Sequence, residues 1–352
     1  MKKLRVAVVG AGQVARTAHI NHYLSLPQVE VVAVCDTDME TAKQAADVFG
    51  IPRYFGHYEE LLEGLHPDAV SVCVPNKYHC EVTCAALEQG CHVLCEKPPA
   101  IHWQEAARME ETARRKDRLL TFGFHFRHHP NTAVIKNRVM QGDFGEIYRV
   151  SATWLRRRGI PGWGNFTSRE IQGGGPLIDI GVHMLDLAMY FLDYPPVDYV
   201  CATMSDRIGR RGGRGFFGDW DGSRYGVEDG LFAMIKFAGG ASLNLETSFA
   251  LNMKEKDRRN VELFGDRLGA SVFPLEFYGE EEGRQYLHSY PYAEDRDRHY
   301  DCIVNFVRAC LDAEPLLVTA AQAVYLQRLV NDIYQSAVSG KPVGPEGQVE
   351  GL

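Results

Sequence analysis

Three groups of residues in this chain have the types and spacing to do chemistry. The first is Gly10-Ala11-Gly12-Gln13-Val14-Ala15, which follows directly on the apolar run Leu4–Val9. At a strand-to-helix turn, Gly10 permits the tight bend, Gly12 lets backbone amides approach a pyrophosphate, and Ala15 keeps the helix close to the sheet. The positive end of the helix dipole then faces the phosphates. A glycine pattern alone is weak evidence, but the next apolar run ends in Asp36, where a carboxylate can accept both hydroxyls of an adenosine ribose. The same charge repels a 2′-phosphate, and Thr37-Asp38 supply no arginine to neutralise one, so NAD is expected in preference to NADP.

The second group, Glu96-Lys97-Pro98-Pro99, follows the run His92–Cys95, at the carboxyl end of the sheet where open α/β folds place their ligands. Two prolines stiffen the backbone there. A lysine fixed at that point could hold a cation next to a nicotinamide, and a solvated surface lysine is the alternative. The third group is Asp179, His183, Asp186 and Tyr190, set in the otherwise apolar segment from Pro176 to Tyr190. Spacings of four, three and four put them along one face of a helix. Burying ionisable groups is costly unless they are paired or used, so the stripe reads as a site or as an internal polar network.

Positioning these groups requires two kinds of architecture. Up to residue 122, short β-branched runs (4–9, 29–35, 69–74, 92–95, 119–122) alternate with helices that begin near Gln13, Met39, Asn76 and Gln104. This is the pattern of a doubly wound parallel sheet, an α/β Rossmann domain over 1–122. Residues 123–352 read as an α+β substrate and oligomerisation domain with an open, mostly antiparallel sheet. It has helices near 131–140 and 176–192, strands near 146–155, 231–237 and 241–250, and helices near 297–312 and 319–339 that could return to the first domain. Residues 241–250 alternate, with Leu243, Leu245, Thr247 and Phe249 on one side. The run 231–237 is apolar on both sides, so part of the sheet is expected to have two covered faces, one cover being another subunit. Gly209–Gly215 reads as a mobile basic loop.

Composition narrows the function classes. The chain has 352 residues, 45% of them hydrophobic, enough for two ordinary globular domains. Its 38 basic and 46 acidic residues give a net charge of −8, which offers nucleic acid or an anionic membrane no general attraction. The apolar start breaks at Gly10, unlike a signal peptide, and no apolar run of membrane-spanning length is expected, so the reading is cytoplasmic. Nine cysteines without a CxxC pair read as buried thiols, and no metal site is expected, the crowding of His125, His128 and His129 included.

Taken together, Val9-Gly10-Ala11-Gly12, Val74-Pro75-Asn76-Lys77-Tyr78-His79, Glu96-Lys97-Pro98 and Asp179-Ile-Gly-Val-His183-Met-Leu-Asp186 resemble the glucose-fructose oxidoreductase/inositol dehydrogenase/MocA (Gfo/Idh/MocA) family across essentially the whole chain. Ala15 in place of a third glycine is a minor departure. The resemblance implies an NAD-dependent oxidoreductase acting on pyranosides, sugar acids or cyclitols, and a homodimer or homotetramer built through the C-terminal sheet. It implies Lys97, Asp179 and His183 as the catalytic group. The cofactor would lie against Gly10, Gly12, Gln13, Val14, Asp36, Pro75, Asn76, Glu96 and Lys97, with Asn76 and His79 near the nicotinamide ribose.

On that basis a substrate C–OH would lose its proton to His183 and a hydride to the nicotinamide. Lys97 would hydrogen-bond the reacting oxygen and Asp179 would orient the substrate. The roles of Lys97 and His183 could be exchanged if burial lowered the lysine's pKa. His125, Arg127 and Asn131 follow the sixth strand and could reach the substrate, while Trp154, Arg156, Trp163 and Phe166 could wall its pocket by stacking on sugar C–H faces and bonding hydroxyls. The segment from Trp154 to Phe166 matches no particular subfamily, which leaves the sugar open. A redox-neutral enzyme with tightly held NAD and a non-catalytic sugar or NAD sensor are the competing readings.

Overall fold

Valine and alanine dominate the first apolar runs, and in a computed structural model, which describes residues 3–292 and 296–344, they become a parallel sheet buried on both faces. Its strands are β1 (Leu4–Val9), β2 (Val29–Cys35), β3 (Tyr54–Phe55), β4 (Ala69–Val72), β5 (His92–Cys95) and β6 (Leu120–Phe122). They lie in the order β3-β2-β1-β4-β5-β6, every pair parallel. The order reverses between β1 and β4, so the connections after these two neighbouring strands leave in opposite directions and open a crevice at their carboxyl ends.

The chain divides into two compact units, 1–128 with 296–327 and 129–295 with 328–352. The first unit therefore includes a late segment. Cys302, Ile303, Phe306 and Val307 of the helix Arg298–Cys310 join the same apolar cluster as Leu4, Ile20, Tyr23 and Val31. That amphipathic helix needs an apolar surface to cover its buried face, and the flank of the β1–β2 sheet supplies one.

The second unit is built on an eight-stranded sheet: β7 (Ile147–Arg156), β8 (Val197–Ser205), β11 (Gly230–Phe237), β12 (Ser242–Ser248), β13 (Asp257–Gly265), β14 (Leu268–Ser271), β15 (Glu276–Glu281) and β16 (Arg284–Ser289). A separate small hairpin pairs β9 (Gly213–Gly215) with β10 (Gly218–Trp220). In the large sheet the order is β16-β15-β14-β13-β7-β12-β11-β8, antiparallel throughout except for the β12–β7 pair. One face carries Val150, Ala152, Leu231, Ile235, Leu243, Leu245, Val261 and Leu263, all fully buried, and the helix Val182–Leu192 lies on it.

The other face is open. Leu231, Ala233, Ile235 and Phe237 of β11 turn inward, whereas Phe232 is partly exposed and Met234 is 37% exposed, so the two covered faces expected for this run are not present within the chain. A hollow of about 350 Å³ on the open side is lined by Arg149, Ser151, Phe232, Asn244 and Glu246 among others. The basic segment 209–215 is also not the loose loop its composition suggested. Asp229 Oδ2 accepts the N–H groups of Ile208 and Gly209 at 2.6 and 2.7 Å, and the Trp220 indole donates to the Gly209 carbonyl at 2.9 Å.

The segment 169–192, interrupted at Gly173–Gly175, contains an 18-residue window of mean hydropathy 1.3, apolar enough by length and composition alone to cross a membrane. Eighty-three per cent of that window is buried in the protein, the mark of a core helix.

At the switch point, Gly10 has φ +93°, and a β-carbon there would run into the backbone carbonyl of Cys73. Gly10→Ala is therefore expected to cost about 1–3 kcal/mol from the backbone conformation alone. Thermal denaturation should show a lowered Tm and NADH fluorescence titration a weakened Kd; an unchanged Tm would mean that the turn is not as tight as described.

Candidate active site

The glycine turn and the carboxylate after β2 are joined directly. Asp36 Oδ2 accepts the Ala11 N–H at 2.8 Å, and its other oxygen accepts the Asp38 N–H at 3.0 Å. This fixes a half-buried carboxylate beside the start of the 13–25 helix, where Gln13 and Val14 form the first turn. No atom lies within 4 Å of a β-carbon built on Gly12, so the space over the turn is open enough for a pyrophosphate. These residues fit a dinucleotide: a glycine cradle, free helix amides and an acceptor for ribose hydroxyls.

Two loops border the same sheet edge. After β4, Pro75 leads into the 3-10 turn Asn76–Tyr78, with Asn76 buried. After β5 comes Glu96-Lys97-Pro98, where the Lys97–Pro98 peptide is cis and Lys97 is half-buried. His79 ties the two loops together, its Nδ1 facing the Pro98 carbonyl at 2.8 Å and its Nε2 the Val74 carbonyl at 2.9 Å. Desolvation lowers the His79 pKa although both carbonyls oppose it. A neutral ring donates from only one of these nitrogens, so His79 hydrogen-bonds the backbone of one loop and lies against the carbonyl of the other.

Glu96 turns inward. It is a buried carboxylate whose Oε1 sits 2.8 Å from His19 Nε2 and whose Oε2 accepts the Lys97 N–H at 3.2 Å. Burial pushes its pKa up, but the His19 hydrogen bond and charge, with Lys97 and His299 nearby, outweigh that and hold it at about 2. It stays ionised at neutral pH.

In the second unit, Asp179 and His183 lie on a helix that is not regular. A π turn over Leu177–Gly181 precedes the α-helix Val182–Leu192, so the four-three-four stripe does not run along a uniform α-helical face. Such widened turns recur at functional sites because they re-aim single side chains. Asp179 is half-buried, whereas His183 and Asp186 are buried. Gly181 explains the glycine between them: a β-carbon there would press on the Thr247 side chain at 2.8–3.0 Å, so the helix rides directly on β12. Below it, Thr247 Oγ1 donates to the Pro176 carbonyl at 3.0 Å. Glu228, buried, anchors the segment before the helix by accepting from Gly175 N, Leu177 N and Tyr334 OH at 3.0, 3.4 and 2.7 Å.

The helix-covered sheet face is apolar along most of its length and turns polar at the His183 end. The Trp154 ring lies 6.1 Å from the His183 ring, and its indole donates to Asp257 at 3.2 Å. The guanidinium groups of Arg156 and Arg259 each lie over the Trp154 ring at 5.2 Å, and Arg156 Nε is 3.4 Å from the same Asp257 oxygen. Trp163 is 47% exposed and packs edge-on against Phe166 and Phe217.

Some expected residues are placed otherwise. Arg127, expected at the substrate, is 2% exposed and donates to the Leu317 carbonyl and to Gln322 Oε1, which makes it a tie between the loop after β6 and the returning C-terminal segment. His125 is buried and stacked on His299 with centroids 3.9 Å apart. Asn131 is buried and donates to the Val272 carbonyl. The residues missed were Arg259 and His19. The parity of Arg259 with the apolar Val261 and Leu263 on β13 was a signal that could have found the first. Among the described residues, no group of three or more His, Cys, Asp or Glu side chains is arranged to hold a metal ion.

Comparisons with known proteins agree with this architecture. Residues 4–124 match a family described as "Oxidoreductase family, NAD-binding Rossmann fold", and residues 132–270 match the GFO/IDH/MocA C-terminal domain. The D-glucoside 3-dehydrogenase of Escherichia coli is 43% identical over 97% of both chains. The levoglucosan dehydrogenase of Pseudarthrobacter phenanthrenivorans is 28% identical over 70% of this chain and 68% of that protein. A solved structure of levoglucosan dehydrogenase with NADH and levoglucosan superposes with a TM-score of 0.83 at 21% identity, covering 97% of this chain and 99% of that one. With family matches over both of its domains and 43% identity to a D-glucoside 3-dehydrogenase along nearly its full length, the chain belongs to the Gfo/Idh/MocA family of NAD-binding oxidoreductases.

Proposed function

We propose that this enzyme oxidises the C3 hydroxyl of a glucoside with NAD, leaving a 3-keto sugar. The observation that carries the reading is the pairing of an intact Asp179-x-Gly181-x-His183 helix with 43% identity, along nearly the full length, to a D-glucoside 3-dehydrogenase. Bound NAD supplies the acceptor for the substrate hydride. The Gly10–Val14 turn and Asp36 would hold its adenosine half, and Pro75, Asn76 and the Lys97 loop its nicotinamide half.

The remaining work belongs to side chains of the protein. His183 takes the hydroxyl proton, for which an imidazole is suited at neutral pH. Lys97 Nζ donates a hydrogen bond to the reacting oxygen and stabilises the alkoxide charge that develops on it. Asp179 orients the adjacent hydroxyl, while Trp154, Arg156 and Arg259 border the sugar. The carbon loses a hydride and the oxygen a proton, so the alcohol becomes a ketone. The half-exposed, alternating open face of the eight-stranded sheet supports a homodimer or homotetramer formed through that face.

The test is NADH formation from a panel of glucosides, free aldoses, sugar acids and cyclitols, with product analysis to locate the new carbonyl. Glucosides are expected to give the highest kcat/KM and a 3-keto product; oxidation at another carbon, or no net NADH, defeats the assignment. Lys97→Ala and His183→Ala should each lower kcat by about 10²–10⁴-fold while NADH still binds. The pH–rate profiles of the two variants identify the base by which one loses the acidic limb. Asp36→Asn should narrow the preference for NAD over NADP by at least about tenfold, one pKa-sized step of charge energy; an unchanged ratio would mean that Asp36 does not face the 2′ position.

A further inference from the structure

The first helix carries a π turn of its own over Ala15–Ile20, and the side chain it aims into the sheet is His19, 2% exposed. His19 begins no exposed feature and touches no expected ligand. It is the centre of a chain of buried polar groups drawn from three elements. Tyr23 OH lies 2.7 Å from Ser71 Oγ, Ser71 Oγ lies 3.1 Å from His19 Nδ1, and His19 Nε2 lies 2.8 Å from Glu96 Oε1. The other Glu96 oxygen accepts the Lys97 N–H at 3.2 Å.

Donor and acceptor roles along this chain can be assigned from one end. An ionised carboxylate only accepts, so His19 Nε2 must carry the hydrogen it shares with Glu96. His19 Nδ1 and the Ser71 hydroxyl share the next hydrogen, and the Ser71 and Tyr23 hydroxyls the one after it. Every hydroxyl and ring nitrogen in the row thus has a hydrogen-bond partner within 3.1 Å. Tyr23 and Ser71 are completely buried, so no water is needed to complete the row. Since the same 13–25 helix opens at the phosphate-binding turn, the row links the seat of the cofactor to the backbone of the Glu-Lys-Pro loop.

We propose that His19 is a positioning residue for Lys97: through Glu96 it fixes the Lys97 backbone, and with it the direction of the ammonium. The proposal rests on the role of Lys97 given above. His79 holds the same loop from its other side through the Pro98 carbonyl.

The experiment compares His19→Gln with His19→Asn. The glutamine amide reaches to where Nε2 stands and keeps the bond to Glu96; the shorter asparagine reaches to Nδ1, keeping Ser71 and losing Glu96. Both are polar and close in volume, so both are expected to fold. His19→Gln should retain kcat within about fivefold of wild type, whereas His19→Asn should lose between about 10- and 100-fold in kcat with KM for NAD within threefold, as expected of a small misplacement of a reacting group. Hydrogen exchange followed by mass spectrometry should show the amide of Lys97 less protected in His19→Asn and unchanged in His19→Gln. Equal kcat and equal exchange in the two variants would overturn the proposal. Wild-type protein that oxidises no sugar would remove the functional reading of Lys97, and the exchange comparison would still decide whether His19 holds its backbone.

Discussion

Two parallel strands that lie side by side, with their connections leaving in opposite directions, create the crevice on which the rest of the first unit depends. At that point the backbone turns at Gly10 so close to Cys73 that no side chain fits. The close approach brings three loops to one edge: the glycine turn after β1, the Asn76 turn after β4 and the Lys97 loop after β5. Short polar links keep them in register, Asp36 to Ala11, His79 to two carbonyls and Glu96 to Lys97. Each link satisfies a group that would be expensive to leave bare in a half-buried place.

The second unit solves the matching problem by packing. Its helix must carry ionisable groups yet sit on an apolar sheet, and Gly181 lets the helix backbone settle directly on the Thr247 side chain of β12. The π turn then shifts Asp179 relative to His183 from where a regular helix would put it. A buried carboxylate, Glu228, ties down the segment in front, its pKa raised by burial while Tyr334 and two backbone amides share the load.

Much of this was legible in the sequence where the cause is local. Gly10, Gly12 and Asp36 announce themselves because a turn and a strand end are decided by a few neighbouring residues. The alternation of Leu243, Leu245 and Thr247 gave the sheet face correctly for the same reason. What escaped depends on partners far along the chain. Arg127 looked like a ligand contact because its acceptors, at 317 and 322, lie nearly two hundred residues away. The glycine-arginine stretch at 209–215 looked loose because the carboxylate that pins it is Asp229, and His19 looked like one polar residue on an ordinary helix because Ser71 and Glu96 come from later strands. The run 231–237 is covered on one side only within the chain, its outer Phe232 and Met234 being partly exposed, because composition alone says that a face is apolar and not which chain covers it.

On the proposed function, the two guanidinium groups laid over Trp154 bear on how a sugar would be read there. An indole already occupied by cations offers little bare aromatic plate for the flat flank of a pyranose, so recognition at that wall shifts from hydrophobic stacking to directed N–H donors. Donors of that kind report whether a hydroxyl stands axial or equatorial far more sharply than a flat surface does. Under that function, epimers that differ at one carbon, which a stacking wall would treat alike, would be told apart by the orientation of a single oxygen.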